Sequence, residues 1–184
     1  MNTRHTLSAP LTNEQVEILH IGDEVLLNGQ IYVARDAAHK RLADLIESGQ
    51  TLPFDPVGQI IYYMGPTPAK PGDPIGSAGP TTSGRVDPYT TLLLSIGIKA
   101  TIGKGYRSQS VREAMQTYKA VYLAAIGGTG ALISRSIVEC EVVAWPELGP
   151  EALQRLTVEN FSCFVANDVR GGDLYRQGRK QFSA

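Results

Sequence analysis

Cysteine is nearly absent from this chain. Cys140 and Cys163 are the only two in 184 residues, and each sits in an apolar-rich run, VECEVVAW and FSCFVAN. Two cysteines this far apart, without a histidine at ligand spacing, do not make a zinc or cluster site. They read as small buried strand residues, and any iron–sulfur cluster would take its ligands from another chain. Charge of one sign is also lacking: 17 Lys and Arg against 18 Asp and Glu leave a formal net charge of -1. No basic field calls for nucleic acid, and no acidic tail suggests a solvating segment. There is no run of about 18 apolar residues, so no membrane span is expected. The opening MNTRHTLSAPLTNEQ has no apolar signal core, so a cytoplasmic location is expected. Residues 1–13 and 176–184 read as loose termini of a single domain spanning 1–184.

Glycine is abundant, at 19 residues with 11 prolines, and the two bunch together, which points to functional loops. The longest bunch, GPTPAKPGDPIGSAGPTTSG at 65–84, is too rich in both for a helix or strand, and loops this long usually bind something. Short strands are expected at 16–20 and 24–27. Asn28-Gly29 then predicts a two-residue hairpin turn, with 30–34 as the returning strand. Asp36 caps a helix to Ser48, and 59–64 is a buried strand. Asp87 caps a helix with Pro88 at its first position, ending at Gly97. Further along come a strand at 99–103, a helix from Ser108 to Tyr118 and a strand at 121–126. A short helix follows Gly127–Gly130, with strands at 137–145, 156–159 and 163–167. Strands alternating with helices make the fold α/β with a mixed sheet and flanking helices.

Three cations stand at the mouths of elements. Arg35 ends a strand and precedes a helix, Arg85 closes the Gly/Pro loop, and Lys104 lies between two glycines after a strand, with Arg107 close by. In α/β proteins such positions converge on a crevice. An Arg fork matches a carboxylate and Lys adds a point charge, so the set suits a small dianion. Singly, each is more often a solvated surface charge. Thr81 and Thr82 share the loop with Arg85, but a threonine hydroxyl is a base only if its alkoxide is stabilised. His39, one turn beyond Asp36, is a packing residue or supports Arg35. The turn Gly127–Gly130 is neither a P-loop nor a dinucleotide fingerprint; it reads as a tight turn or a carboxylate-binding helix start. No residue here is expected to ligate a metal.

The motif GPTTSGRVDPY at 79–89 resembles the C-terminal region of class I (iron–sulfur) fumarases and the beta subunits of two-subunit fumarases and L(+)-tartrate dehydratases. VARDAAHKRL at 33–42, KGYRSQ at 104–109, YLAAIGG at 122–128 and PELGPEAL at 146–153 match in the same order. The resemblance implies a swivelling β/β/α domain, and a hydro-lyase that reversibly dehydrates a 2-hydroxy dicarboxylate such as malate or tartrate. It also implies a 4Fe-4S cluster held by three cysteines of a partner alpha subunit, with a Lewis-acid iron for the substrate hydroxyl and carboxylate. Alpha–beta pairs, which can dimerise in turn, would be the assembly. Matched motif to motif, the substrate-binding cations are Arg35, Arg85 and Lys104, and the proposed base is Thr81, assisted by an aspartate of the alpha part. Asp36, His39, Thr82, Arg107 and Gln109 are candidates to support them from behind. Tyr106, and Thr129-Gly130, depart from the family pattern. The competing reading is a non-catalytic anion-binding or assembly module on the same fold.

Overall fold

The computed structural model describes residues 3–182. Seven strands form one sheet: β1 (Arg4–Ser8), β2 (Glu24–Val33), β3 (Ile60–Tyr62), β4 (Ala100–Gly103), β5 (Val121–Ala124), β6 (Ile137–Ala144) and β7 (Leu153–Asn167). Their order is β1-β2-β3-β4-β5-β7-β6, with β2 also paired to β7. Strands β1 to β5 are parallel to their neighbours, whereas β7 runs antiparallel to β2, β5 and β6. Because β7 spans 15 residues and pairs with both β2 and β5, the sheet folds back on itself and its strands face one another.

Side-chain alternation then makes two cores. Val33, Tyr62, Ile102, Leu123 and Val165 point inward to a sheet-on-sheet core. Their neighbours Tyr32, Ile61, Tyr63, Tyr122 and Ala166 point outward to a sheet-on-helix core. The helices covering that outer face are α2 (Asp36–Glu47), α3 (Asp87–Ser95) and α4 (Gln109–Tyr118), contributing Leu42, Leu93, Leu94 and Met115. The layering is therefore β/β/α. Two short helices, α1 (Asn13–Glu17) and α5 (Gly130–Ile133), and a final helix, α6 (Leu174–Phe182), complete the chain.

Several sequence expectations change here. Residues 16–20 are not a strand, because Thr12 and Gln15 form a capping box that starts α1 just upstream. The expected loose arm at 1–13 instead supplies β1, paired with β2 from Arg4↔Glu24 to Ser8↔Asn28; residues 1 and 2 lie outside the described residues. The expected loose end at 176–184 is helical to Phe182, and residues 183–184 are not described. Asn28-Gly29 does not turn the chain. β2 runs straight through it, with a bulge at Leu27/Gly29 opposite β7. Gly29 has φ 90°, and a Cβ there would lie 3.1 Å from the Ala9 carbonyl oxygen, so the glycine serves a bulge and a close approach. The two late strands are one, β7, continuous through Asn160 at φ 50°; the Asn160 amide donates to Asn28 Oδ1 at 2.9 Å.

Candidate active-site rim

The C-terminal ends of the parallel strands β2, β3 and β4 lie side by side, the edge at which ligands bind in such sheets. Arg35 follows β2, Gly65 follows β3 and Lys104 follows β4. The long loop returns to the same edge: Met64 bridges Pro80 and Thr82 bridges Lys104. Tyr62 anchors it, its hydroxyl donating to the Ala78 carbonyl at 2.5 Å.

Backbone bonds tie Thr81 into this edge. Its amide donates to the Tyr63 carbonyl at 2.8 Å, and its own carbonyl accepts the Lys104 amide at 3.1 Å. Its hydroxyl donates to the same Tyr63 carbonyl at 3.2 Å. Ser83 donates its amide to the Lys104 carbonyl at 2.9 Å. Gly103 permits the close approach, since a Cβ there would fall 2.1 Å from Ser83 Oγ.

Arg35, not Asp36, occupies the cap position of α2. Its guanidinium lies over Gly65, where a Cβ would meet Nη1 at 2.5 Å, and faces Glu151 at 3.5 Å. Asp36, in the first turn, pairs with Arg85 at 3.4 Å. One ion pair thus joins the start of α2 to the end of the Gly/Pro loop. Arg85 is 57% exposed and Lys104 is exposed as well, so both side chains are open to solvent. Lys104 has no ion pair among the described residues, and its stem runs past Gly127. Thr82 is exposed beside it.

The supporting residues divide. His39 is fully buried and holds the Arg35 carbonyl through Nδ1 at 2.9 Å. Burial chiefly, and the Arg107 charge, push its pKa down to about 4, so the ring is neutral. Arg107 lies in the sheet-on-helix core, its guanidinium 5.2 and 5.1 Å from the ring centres of Tyr63 and Tyr122. It donates to Tyr63 Oη, Thr101 Oγ1 and Thr90 Oγ1 and stands 2.7 Å from Asp87. Asp87 is therefore not the cap of α3; Val86 is, and the Asp87 carboxylate serves Arg107 and the Ser108 amide. Arg107 touches the rim indirectly, through the tyrosine whose carbonyl carries Thr81. Gln109 gives its amide to Glu113 at 2.8 Å and shares no hydrogen bond with the rim cations or Thr81 among the described residues. The turn before α5 is tight, with the Thr129 hydroxyl donating to the Ile126 carbonyl at 2.6 Å.

Sequence reasoning missed Glu151, Gly65, Tyr63 and Ser83. Glu151 stands in PELGPEAL, but nothing local marks it as the partner of Arg35 and of the Ala37 amide. A cleft of about 700 Å³ lies elsewhere, between Thr67, Lys70, Ile75 and Ala131, Ser134, Arg135; none of Arg35, Thr81, Arg85 and Lys104 lines it. Chemically, the rim presents three cations and one half-buried hydroxyl on an open surface.

Comparison with known proteins points the same way. The sequence profile described as Fumarase C-terminus matches residues 2–178. The chain is 42% identical over 159 residues to "Fumarate hydratase class I, anaerobic" of Escherichia coli, covering 85% of this chain and 29% of that protein. It is 39% identical over 164 residues to "Fumarate hydratase 2" of Leishmania major, again covering 29% of the relative. It thus spans under a third of those enzymes. Against "Putative L(+)-tartrate dehydratase subunit beta" of Methanocaldococcus jannaschii, identity is 39% over 177 residues, 93% of this chain and 91% of the relative. With nearly its whole length matched by the family profile, this chain belongs to the Fumarase C-terminus family.

Proposed function

We propose that this chain is the beta subunit of an iron–sulfur-dependent hydro-lyase acting on a 2-hydroxy dicarboxylate. The observation that carries the reading is the rim itself: Arg35, Thr81, Arg85 and Lys104, spread over 70 positions of sequence, are drawn to one sheet edge by the backbone bonds and the Asp36–Arg85 pair. A relative of matching length that is named as a beta subunit favours a protein divided into two chains. So does the open rim, which needs a second surface to exclude water.

Neither cysteine fits a cluster. Cys163 is wholly buried with its thiol directed at the Val25 carbonyl, and burial pushes its pKa upward. Cys140 lies on β6 against Gln154. The 4Fe-4S cluster and its chemistry accordingly belong to an alpha subunit, and this chain contributes binding and proton transfer. Arg35 and Arg85 hold the substrate carboxylates, each already aligned by a carboxylate that substrate joins or displaces. Lys104 joins them as a point charge on the substrate carboxylates. Thr81 takes the proton from the carbon next to the one bearing hydroxyl. In the open rim its own hydrogen rests on the Tyr63 carbonyl, an acceptor that would repel an alkoxide. Activation therefore requires the cations and an acid–base group brought by the partner on closure.

The test is anaerobic co-expression with an alpha subunit and a screen of 2-hydroxy dicarboxylates. Thr81→Ala should lower kcat by about 10²–10⁴-fold with little change in KM, as loss of a proton-transfer group does, whereas Thr82→Ala should be mild. An assembled, cluster-loaded complex that turns over none of these substrates would leave the non-catalytic module as the answer.

A further inference from the structure

We propose that Tyr175 and Tyr122 are positioning residues that aim Lys104 by clamping the peptide groups of Gly105. The inference rests on reading Lys104 as a substrate-binding cation. Lys104 is the first residue beyond β4 and is exposed, so its direction is set by backbone on either side of it. On the near side its amide is held by the Thr81 carbonyl, and its own carbonyl, in the peptide shared with Gly105, accepts the Ser83 amide. On the far side stands Gly105 at φ 85°, the residue type least able to hold one conformation by itself.

Two phenols hold the remaining polar groups of that residue. Gly105 N–H donates to Tyr175 Oη at 3.3 Å, and Tyr122 O–H donates to the Gly105 carbonyl at 3.0 Å. Proton counting extends the network. A phenol has one hydrogen, and that of Tyr122 is committed to Gly105. The 2.9 Å contact between Tyr122 Oη and Ser83 Oγ is therefore donated by Ser83. One buried phenol thus ties the Thr81–Ser83 segment to the Lys104–Gly105 turn. Burial pushes the pKa of Tyr122 upward, so it stays a donor. Tyr175 comes from α6, and the turn is latched onto that helix twice more. The Tyr106 ring packs on Tyr175 with centres 4.9 Å apart, and Arg179 covers Tyr106, 5.6 Å from the ring centre, while donating to its hydroxyl at 3.1 Å. Tyr106, a departure from the family pattern, finds its place here as the pad between the turn and α6.

Tyr175→Phe and Tyr122→Phe keep the rings and remove one hydroxyl each. Amide exchange at Gly105, followed by NMR on this chain alone, should quicken on the order of tenfold in Tyr175→Phe, as loss of one hydrogen bond allows. In the complex with its alpha subunit, both variants should raise KM for the dicarboxylate by about tenfold while kcat changes far less. A general loss of stability would not produce that split. An active wild-type complex whose variants keep the parent KM overturns the clamp alone, even if Gly105 exchanges faster. An inactive wild-type complex overturns the hydro-lyase reading and this inference with it.

Discussion

A Cβ on Gly65 would fall 2.5 Å from Arg35 Nη1 and 3.3 Å from its Cδ. The nearest atom is the tip of a flexible side chain, so the fold can give way cheaply while the guanidinium cannot keep its place. The φ of Gly65 lies outside the left-handed region, so alanine meets no backbone penalty there. Gly65→Ala should therefore leave the thermal midpoint nearly unchanged and raise KM in the complex by about tenfold or more, the loss expected when one charge-assisted contact is misplaced. Melting curves and steady-state kinetics check the two halves; an unchanged KM would mean that Arg35 does not bind substrate from this position. At this scale the sequence names the cations by type and by their place at strand ends. It does not name Glu151 or Gly65, because their roles lie in contacts more than 25 residues away in sequence.

At the scale of elements, α2 shows how a helix can be docked by a group that must stay uncharged. His39 is buried between Tyr63 and Tyr89, 5.3 and 6.3 Å from their ring centres. Arg107 opposes its protonation, and Asp36 and the Arg35 carbonyl favour it too weakly to offset burial. The folded pKa of about 4 lies below the ordinary 6.5, so between those values the unfolded chain binds the proton and the folded chain does not. Stability from this group is complete above pH 6.5 and falls as pH drops toward 4, by up to about 3 kcal/mol. Denaturant unfolding at pH 7 and pH 4.5 should show the fall in the wild type and a flatter response in His39→Gln. Equal slopes would remove His39 as the cause. The periodicity that predicts α2 and α4 is local and was legible. Asn28-Gly29 has a real turn propensity, but β7 on one side and β1 on the other hold β2 extended. Tertiary pairing overrides a two-residue preference.

For the whole molecule, the proposed division of labour with an alpha subunit makes a simple prediction. This chain, purified and reconstituted alone under anaerobic conditions, should take up no stoichiometric iron or sulfide. Cys163 is closed within the sheet-on-sheet core and Cys140 stands half-buried on β6, and a cluster needs several thiolates at one point. Iron and sulfide analysis decides it; a stable cluster on the lone chain would end the two-subunit reading. What the sequence determined by itself is what near neighbours determine: the α/β alternation, the long Gly/Pro loop at 65–84, the placing of Arg35 and Lys104 at strand ends and the scarcity of cysteine. The tertiary structure alone decided three further things: that β7 closes the sheet, that α6 reaches back through Tyr175 to the turn after β4, and that Glu151 faces Arg35. Those contacts join residues 40 to 140 positions apart. Their partners are selected by the packing of the finished core, which leaves no periodic or local trace in the chain.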